Sequence, residues 1–166
     1  MITIFAGALL MAASAYTGLA IKRIYKIRHE TYMVFVQLCD ALYRQINFLK
    51  TPLKDVLEAF CNNKKGLPYD LIKKYIIGLQ SGYINVTEVE NHLKNIYLST
   101  DDTKEIAEFL FSLGKNDFDL ELKNILSCKL RFQSLESVAM DNLEKKGGMY
   151  YKLSVLLGVA LMVIVV

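Results

Sequence analysis

Residues 2–21 read ITIFAGALLMAASAYTGLAI, twenty consecutive residues without a charged side chain. At about 1.5 Å rise per residue such a helix covers about 30 Å, the thickness of a bilayer's hydrocarbon core. The stretch therefore predicts an N-terminal transmembrane helix over 1–21. A secretory signal peptide is the alternative, with Ala13-Ser14-Ala15 as its cleavage site, but signal peptides carry their basic residues before the apolar run. Here Lys22, Arg23, Lys26 and Arg28 follow it. Because Lys and Arg concentrate on cytoplasmic flanks, this order places the next segment in the cytoplasm and Met1 outside. The same cations attract anionic lipid headgroups, which makes membrane lipids expected partners.

The other end of the chain repeats the pattern in reverse. LSVLLGVALMVIVV, residues 153–166, is too short to span unaided, but Tyr150 and Tyr151 suit the interface and Lys152 can extend its stem to the headgroups. A C-terminal transmembrane helix over 149–166 follows, with Lys145, Lys146 and Lys152 marking its cytoplasmic side. All 20 Lys and Arg and all 17 Asp and Glu fall between Lys22 and Lys152. The expected organisation is a two-pass protein of the cell membrane, both termini extracytoplasmic, with residues 22–148 as a cytoplasmic domain. Its net charge of +3 is spread among interspersed signs, which does not call for nucleic acid.

Within 22–148 the apolar period is helical throughout. Tyr32, Phe35, Cys39, Leu42, Ile46 and Leu49 step by three or four, so the first anchor is expected to continue as one long helix to Thr51-Pro52. A residue before proline is pushed out of the α region, and proline suits the first turn of the next helix, with Thr51 as its cap, over Pro52 to about Asn62. A loop over 62–68 leads to a third helix from Tyr69 to Leu79, stopped by Gly82. Thr87-x-x-Glu90 has the form of a capping box for a fourth, carrying Val89, Leu93, Ile96 and Tyr97. Ser99 to Asp102 caps a fifth, with Ile106, Phe109, Leu110 and Leu113 as its stripe and Gly114 as its C-terminal cap. From Asp117 a seam at Phe118, Leu122, Ile125, Cys128, Phe132, Leu135, Ala139 and Leu143 repeats every ~3.6 residues, up to an expected bend at Gly147-Gly148. The fold class is all-α: an antiparallel helical bundle of about six helices, flanked by the N- and C-terminal transmembrane helices.

Chemistry-bearing constellations are not found. The sequence has two histidines, His29 and His92, and three dispersed cysteines, Cys39, Cys61 and Cys128, that read as core residues of a reducing compartment. No P-loop, H-E-x-x-H or G-x-S-x-G occurs. No enzyme activity, cofactor or metal is expected. Gly7-x-x-x-Met11 and Ala13-x-x-x-Thr17 leave a small surface for helix contact in the first anchor.

Several short matches in a fixed order carry a resemblance. An anchor with Gly18 near its end is followed by Thr51-Pro52-Leu53, then by Phe109-x-x-x-Leu113-Gly114-x-x-Asp117, then by Lys152-Leu153 and an apolar tail with Gly158. In this the chain resembles the stage III sporulation protein AB family of endospore-forming bacteria, whose soluble part is similar to the cytoplasmic domain of type II secretion inner-membrane platform proteins. Ser154 stands where the family pattern has a glycine. The resemblance implies a mother-cell membrane component of the channel joining mother cell and forespore, working beside a secretion-type ATPase and other membrane channel components, and compatible with a homo-oligomer. A membrane-tethered adaptor or regulator unrelated to secretion is the alternative. Thr51, Pro52, Leu53, Phe109, Leu113, Gly114 and Asp117 are expected to fix where helices turn.

Overall fold

Steps of three and four residues put Tyr32, Phe35, Cys39 and Leu42 on one side of a helix, and all four are fully buried. A computed structural model describes residues 2–49, 51–81, 86–94, 98–115 and 117–165. The buried four lie on α1 (Ile2–Arg44), which closes in a π-helical turn over Gln45–Leu49. Then follow α2 (Leu53–Cys61), α3 (Leu67–Ser81), α4 (Val86–Lys94), α5 (Thr100–Ser112) and α6 (Phe118–Asn142). A second π-helical turn, Leu143–Gly147, leads into α7 (Gly148–Val165). Among the described residues there is no strand, and the fold is the all-α bundle expected.

The chain forms two compact units, Glu30–Glu136 and the pair Met1–His29 with Ser137–Val166. In the first, α2 packs on α3, α3 on α4 and α4 on α5. Three aromatic rings from three helices meet in its core: Phe35 lies 6.5 Å from Phe109 and 5.6 Å from Phe132, and those two cross edge to face at 5.4 Å. Such pairs are worth about 0.5–1.5 kcal/mol beyond the area they bury. Tyr75 is buried beside this core and donates its hydroxyl to the Leu110 carbonyl at 2.5 Å. Burial pushes its phenol up to about 12. Lys129 meets Asp40 and Arg131 meets Glu105, each at 2.6 Å. Pairs this exposed contribute about 0–1 kcal/mol, so apolar packing carries the unit.

In the second unit α1 and α7 lie antiparallel as an apolar hairpin. Ser14 contacts Ser154, and Gly158 faces Ser14 and Met11, while Gly147 faces Lys22 and Tyr25. Among the described residues, two helices are long and apolar enough to cross a membrane, by length and composition.

Several local expectations need correction. Thr51 does not cap α2: that helix has Pro52 at its N-cap with no side-chain hydrogen bond, while Thr51 turns back to Gln45, donating both its N–H and its hydroxyl at 3.3 Å. At Gly147-Gly148 the helix is unbroken: Gly148 is αR at φ −65°, and the π-helical turn over Leu143–Gly147 runs directly into α7. Phe118 leaves the α6 seam and is 45% exposed, being the first residue of the helix. Leu49, at the end of the α1 stripe, is exposed as well. The helix stop at Gly82 lies outside the described residues, as do Ile96 and Tyr97. Thr87 falls inside α4 rather than at its cap, and its side chain, like that of His92, lies outside those described.

Candidate functional site

The features that set this chain apart are the seam and charged end of the hairpin, and the junction where α2, α5 and α6 turn. Along the seam Gly7, Met11, Ser14 and Gly18 step by four, three and four residues and so share one face of α1. Gly7 and Gly18 are buried there, and Ala13 and Thr17 are exposed. Gly147, Tyr151, Ser154 and Gly158 supply the facing side. The reason for glycine is close approach: a Cβ on Gly18 would lie 3.0 Å from the Ser154 Cβ and 3.3 Å from the Tyr151 Cα. One on Gly158 would lie 3.1 Å from the Ser14 Cβ and 3.3 Å from the Met11 Cα. The space lets two hydroxyls reach the opposite backbone. Ser14 donates to the Ser154 carbonyl, and Ser154 donates to the Ser14 carbonyl at 3.2 Å. Small residues with reciprocal hydroxyl bonds are the means by which apolar helices associate where there is no water to drive them together.

At one end of this seam the membrane-flanking cations collect. Lys22, Arg23 and Lys26 on α1 and Lys145, Lys146 and Lys152 on the other arm are all exposed, with Arg28 half-buried. Tyr25 stacks on Tyr150 at 6.4 Å, and the Lys22 ammonium lies 5.8 Å from the centre of the Tyr151 ring. Lys145 is held by Asp141 at 2.7 Å.

The second cluster brings together residues about sixty positions apart. Leu113 is buried with extended backbone, and Gly114 follows at φ +77°, the left-handed conformation that ends α5. A Cβ on Gly114 would lie 3.3 Å from the Leu53 Cδ2, so the two turn motifs touch. Glu121, buried on α6, accepts the Gly114 N–H at 3.0 Å, and Asp117 opens α6 by accepting the Glu121 N–H at 2.8 Å through its carbonyl. Phe109 lies in the three-ring core little more than one turn before Gly114. Replacing Gly114 by alanine should cost about 1–2 kcal/mol for the left-handed backbone alone. Denaturant unfolding of the full chain in detergent would read it; an unchanged midpoint would mean the turn is not needed.

Beside this junction a cleft of about 320 Å³ lies between α5 and α6, lined by Glu105, Glu108, Ser112, Asn124, Cys128 and Arg131. Asn124 donates to the Ser112 hydroxyl at 2.9 Å, and Arg131 engages Glu105. Burial, and then the charge of Glu105, push the Cys128 thiol up, the opposite of what a reactive thiolate needs. Cys39 is raised still more by burial, and all three cysteines are free.

Sequence reading singled out the cations and the turn residues; it did not single out Glu121, or Ser14 and Ser154 as a contact between the arms. The signal for the serines was present as the four-three-four spacing, which differs from the two four-residue pairs expected to make the contact.

No curated protein and no solved structure matches the chain. The family model for stage III sporulation protein AB matches residues 3–166, which covers both arms of the hairpin, the Thr51-Pro52-Leu53 turn and the Gly114 junction in one continuous span. The chain therefore belongs to the stage III sporulation protein AB family.

Proposed function

We propose that this protein is a non-enzymatic membrane platform of the secretion-like channel between mother cell and forespore, required for endospore development. The observation that carries the proposal is the pairing of the chain's two ends in one apolar hairpin, in a member of a sporulation family. Such a hairpin would fix the unit between its arms at the membrane, where a tethered surface gains effective concentration for its partners. The partners are a secretion-type ATPase on the cytoplasmic side and other membrane channel components, reached through the resemblance to type II secretion platforms.

The topology proposed has both termini outside and residues 30–136 in the cytoplasm of the mother cell. Support comes from the cations of both arms lying at the same end of the hairpin, as Gly147 facing Lys22 requires. An alkaline phosphatase reporter fused after Val166 should be active, and one inserted in the 62–68 loop inactive. The reverse pattern would overturn the topology.

Deleting the gene should leave vegetative growth normal and arrest development after engulfment begins. Capture of the tagged protein from sporulating cells should retain the ATPase. A chain lacking both arms that still complements the deletion at equal protein level would favour a soluble regulator instead.

A further inference from the structure

Two of the three cysteines are brought together by the pairing of α1 with α6. Phe35 on α1 meets Phe132 on α6 at 5.6 Å, and Asp40 on α1 meets Lys129 on α6 at 2.6 Å. Residue numbers rise along one helix as they fall along the other, so the two run antiparallel. Cys39 lies one turn beyond Phe35 and beside Asp40, and Cys128 lies one turn before Phe132 and beside Lys129. The two cysteines therefore occupy facing positions in one layer of the interface. Cys39 is fully buried there, while Cys128 lines the cleft between α5 and α6. Electrostatics agree with this placement. Burial raises the Cys39 thiol most, and next comes the charge of a Cys128 thiolate, ahead of that of Asp40, its neighbour in the chain. Charges act more weakly with distance, so the two sulfurs stand near each other. Cys61 feels the charges of Lys73, Lys64 and Asp70 but not of a second thiol.

We infer that Cys39 and Cys128 form a reversible disulfide between α1 and α6 when a low-molecular-weight disulfide is present as oxidant. Cys128 is the entry point, because the cleft gives access to its sulfur and Cys39 is reached only through it. Cys128 loses its proton, and its thiolate attacks one sulfur of the small disulfide, forming a mixed disulfide and releasing one small thiol. The Cys39 sulfur gives up its proton and attacks Cys128, and the second small thiol leaves. The protein loses two electrons and two protons, and the small disulfide takes up both. Lys129 favours the Cys39 thiolate against the burial that opposes it. Both thiols are raised by burial, so the exchange is slow and the pair is a restraint rather than a catalytic centre. The bond closes a loop of about 90 residues, and long loops gain most from such a link. The inference concerns Glu30–Glu136 alone and is independent of the secretion reading.

The test is treatment of the folded full chain in detergent with dithiodipyridine, followed by intact mass and peptide mapping. The chain should lose two hydrogens, release two molecules of pyridinethione and yield one linked pair of peptides containing Cys39 and Cys128. Dithiothreitol should reverse all three changes. Cys61→Ser should leave the reaction as it is, and it provides the background for the other variants. There, Cys39→Ser should stop at the mixed disulfide on Cys128 and keep one pyridyl group. Cys128→Ser should release pyridinethione at least about tenfold more slowly, because its remaining thiol is buried. The linked chain should also unfold in denaturant at a higher midpoint than the reduced one. A chain with all three cysteines that stops at the mixed disulfide, a link through Cys61, or a link between two copies would overturn the pairing. So would thiols that react only once the bundle unfolds, or a linked chain whose midpoint is no higher, since the bond would then require the two helices to move apart.

Discussion

Replacing Phe109 by alanine will cost the protein about 3–5 kcal/mol of folding free energy. The ring is 2% exposed and stands between Phe35 and Phe132, themselves fully buried, so its removal leaves a void lined by two rings from two other helices. Those helices cannot close the space independently, because Phe35 and Phe132 are already in contact and fix each other. Phe109→Leu keeps much of the volume and should cost less than half as much. Phe48→Ala is the control: its ring is 74% exposed, and surface changes of this kind stay within about 0.5 kcal/mol. Denaturant unfolding of the full chain in detergent, followed by tyrosine fluorescence, would report the core through Tyr75. A Phe109→Ala midpoint no lower than that of Phe48→Ala would show that the three rings are not the centre of the unit.

That core was legible from the sequence because it is written in a local period. Phe35, Phe109 and Phe132 each sit on a stripe that steps by three or four, and Ser99 announces α5 by a cap whose hydroxyl does accept the Asp102 N–H at 3.2 Å. What stayed hidden depends on residues far apart in the chain. Nothing in a helical period says that Glu121 turns inward to receive the Gly114 N–H, since a glutamate in the first turn of α6 reads equally well as a dipole partner facing water. The continuity of the helix through Gly147-Gly148 is hidden for a related reason. Adjacent glycines suggest a break when the helix is considered alone, whereas Gly147 closes a π-helical turn and Gly148 continues the helix. Thr51 likewise carries a good cap side chain, but Gln45 is within its reach and takes it.

The hairpin seam offers the second large effect. Gly18→Leu should separate the arms, because the first atom added would fall 3.3 Å from the Tyr151 Cα as well as against the Ser154 side chain. A serine can rotate away; a backbone atom inside a helix cannot. Once the arms part, the two hydroxyl bonds between Ser14 and Ser154 are lost together with the packing around them, and interhelical bonds of this type are worth about 0.6–2 kcal/mol each. A combined loss of that size corresponds to about a tenfold to several-hundredfold fall in the paired population, each tenfold being about 1.4 kcal/mol. The population is measurable in membranes as the rate at which a short bifunctional thiol reagent links Tyr25→Cys to Tyr150→Cys, a pair whose rings stack across the arms at 6.4 Å and whose replacement leaves both serines in place. Gly148→Leu provides the matched control, since a side chain at 148 meets nothing within 4 Å and should leave the rate unchanged. Gly158→Leu, blocked by the Ser14 side chain and the Met11 Cα, should behave like Gly18→Leu from the other arm. If the platform depends on pairing the chain's ends, the two seam variants will sporulate poorly and Gly148→Leu normally. Cross-linking that is equally fast in all three would show that the arms are held by something other than their small residues.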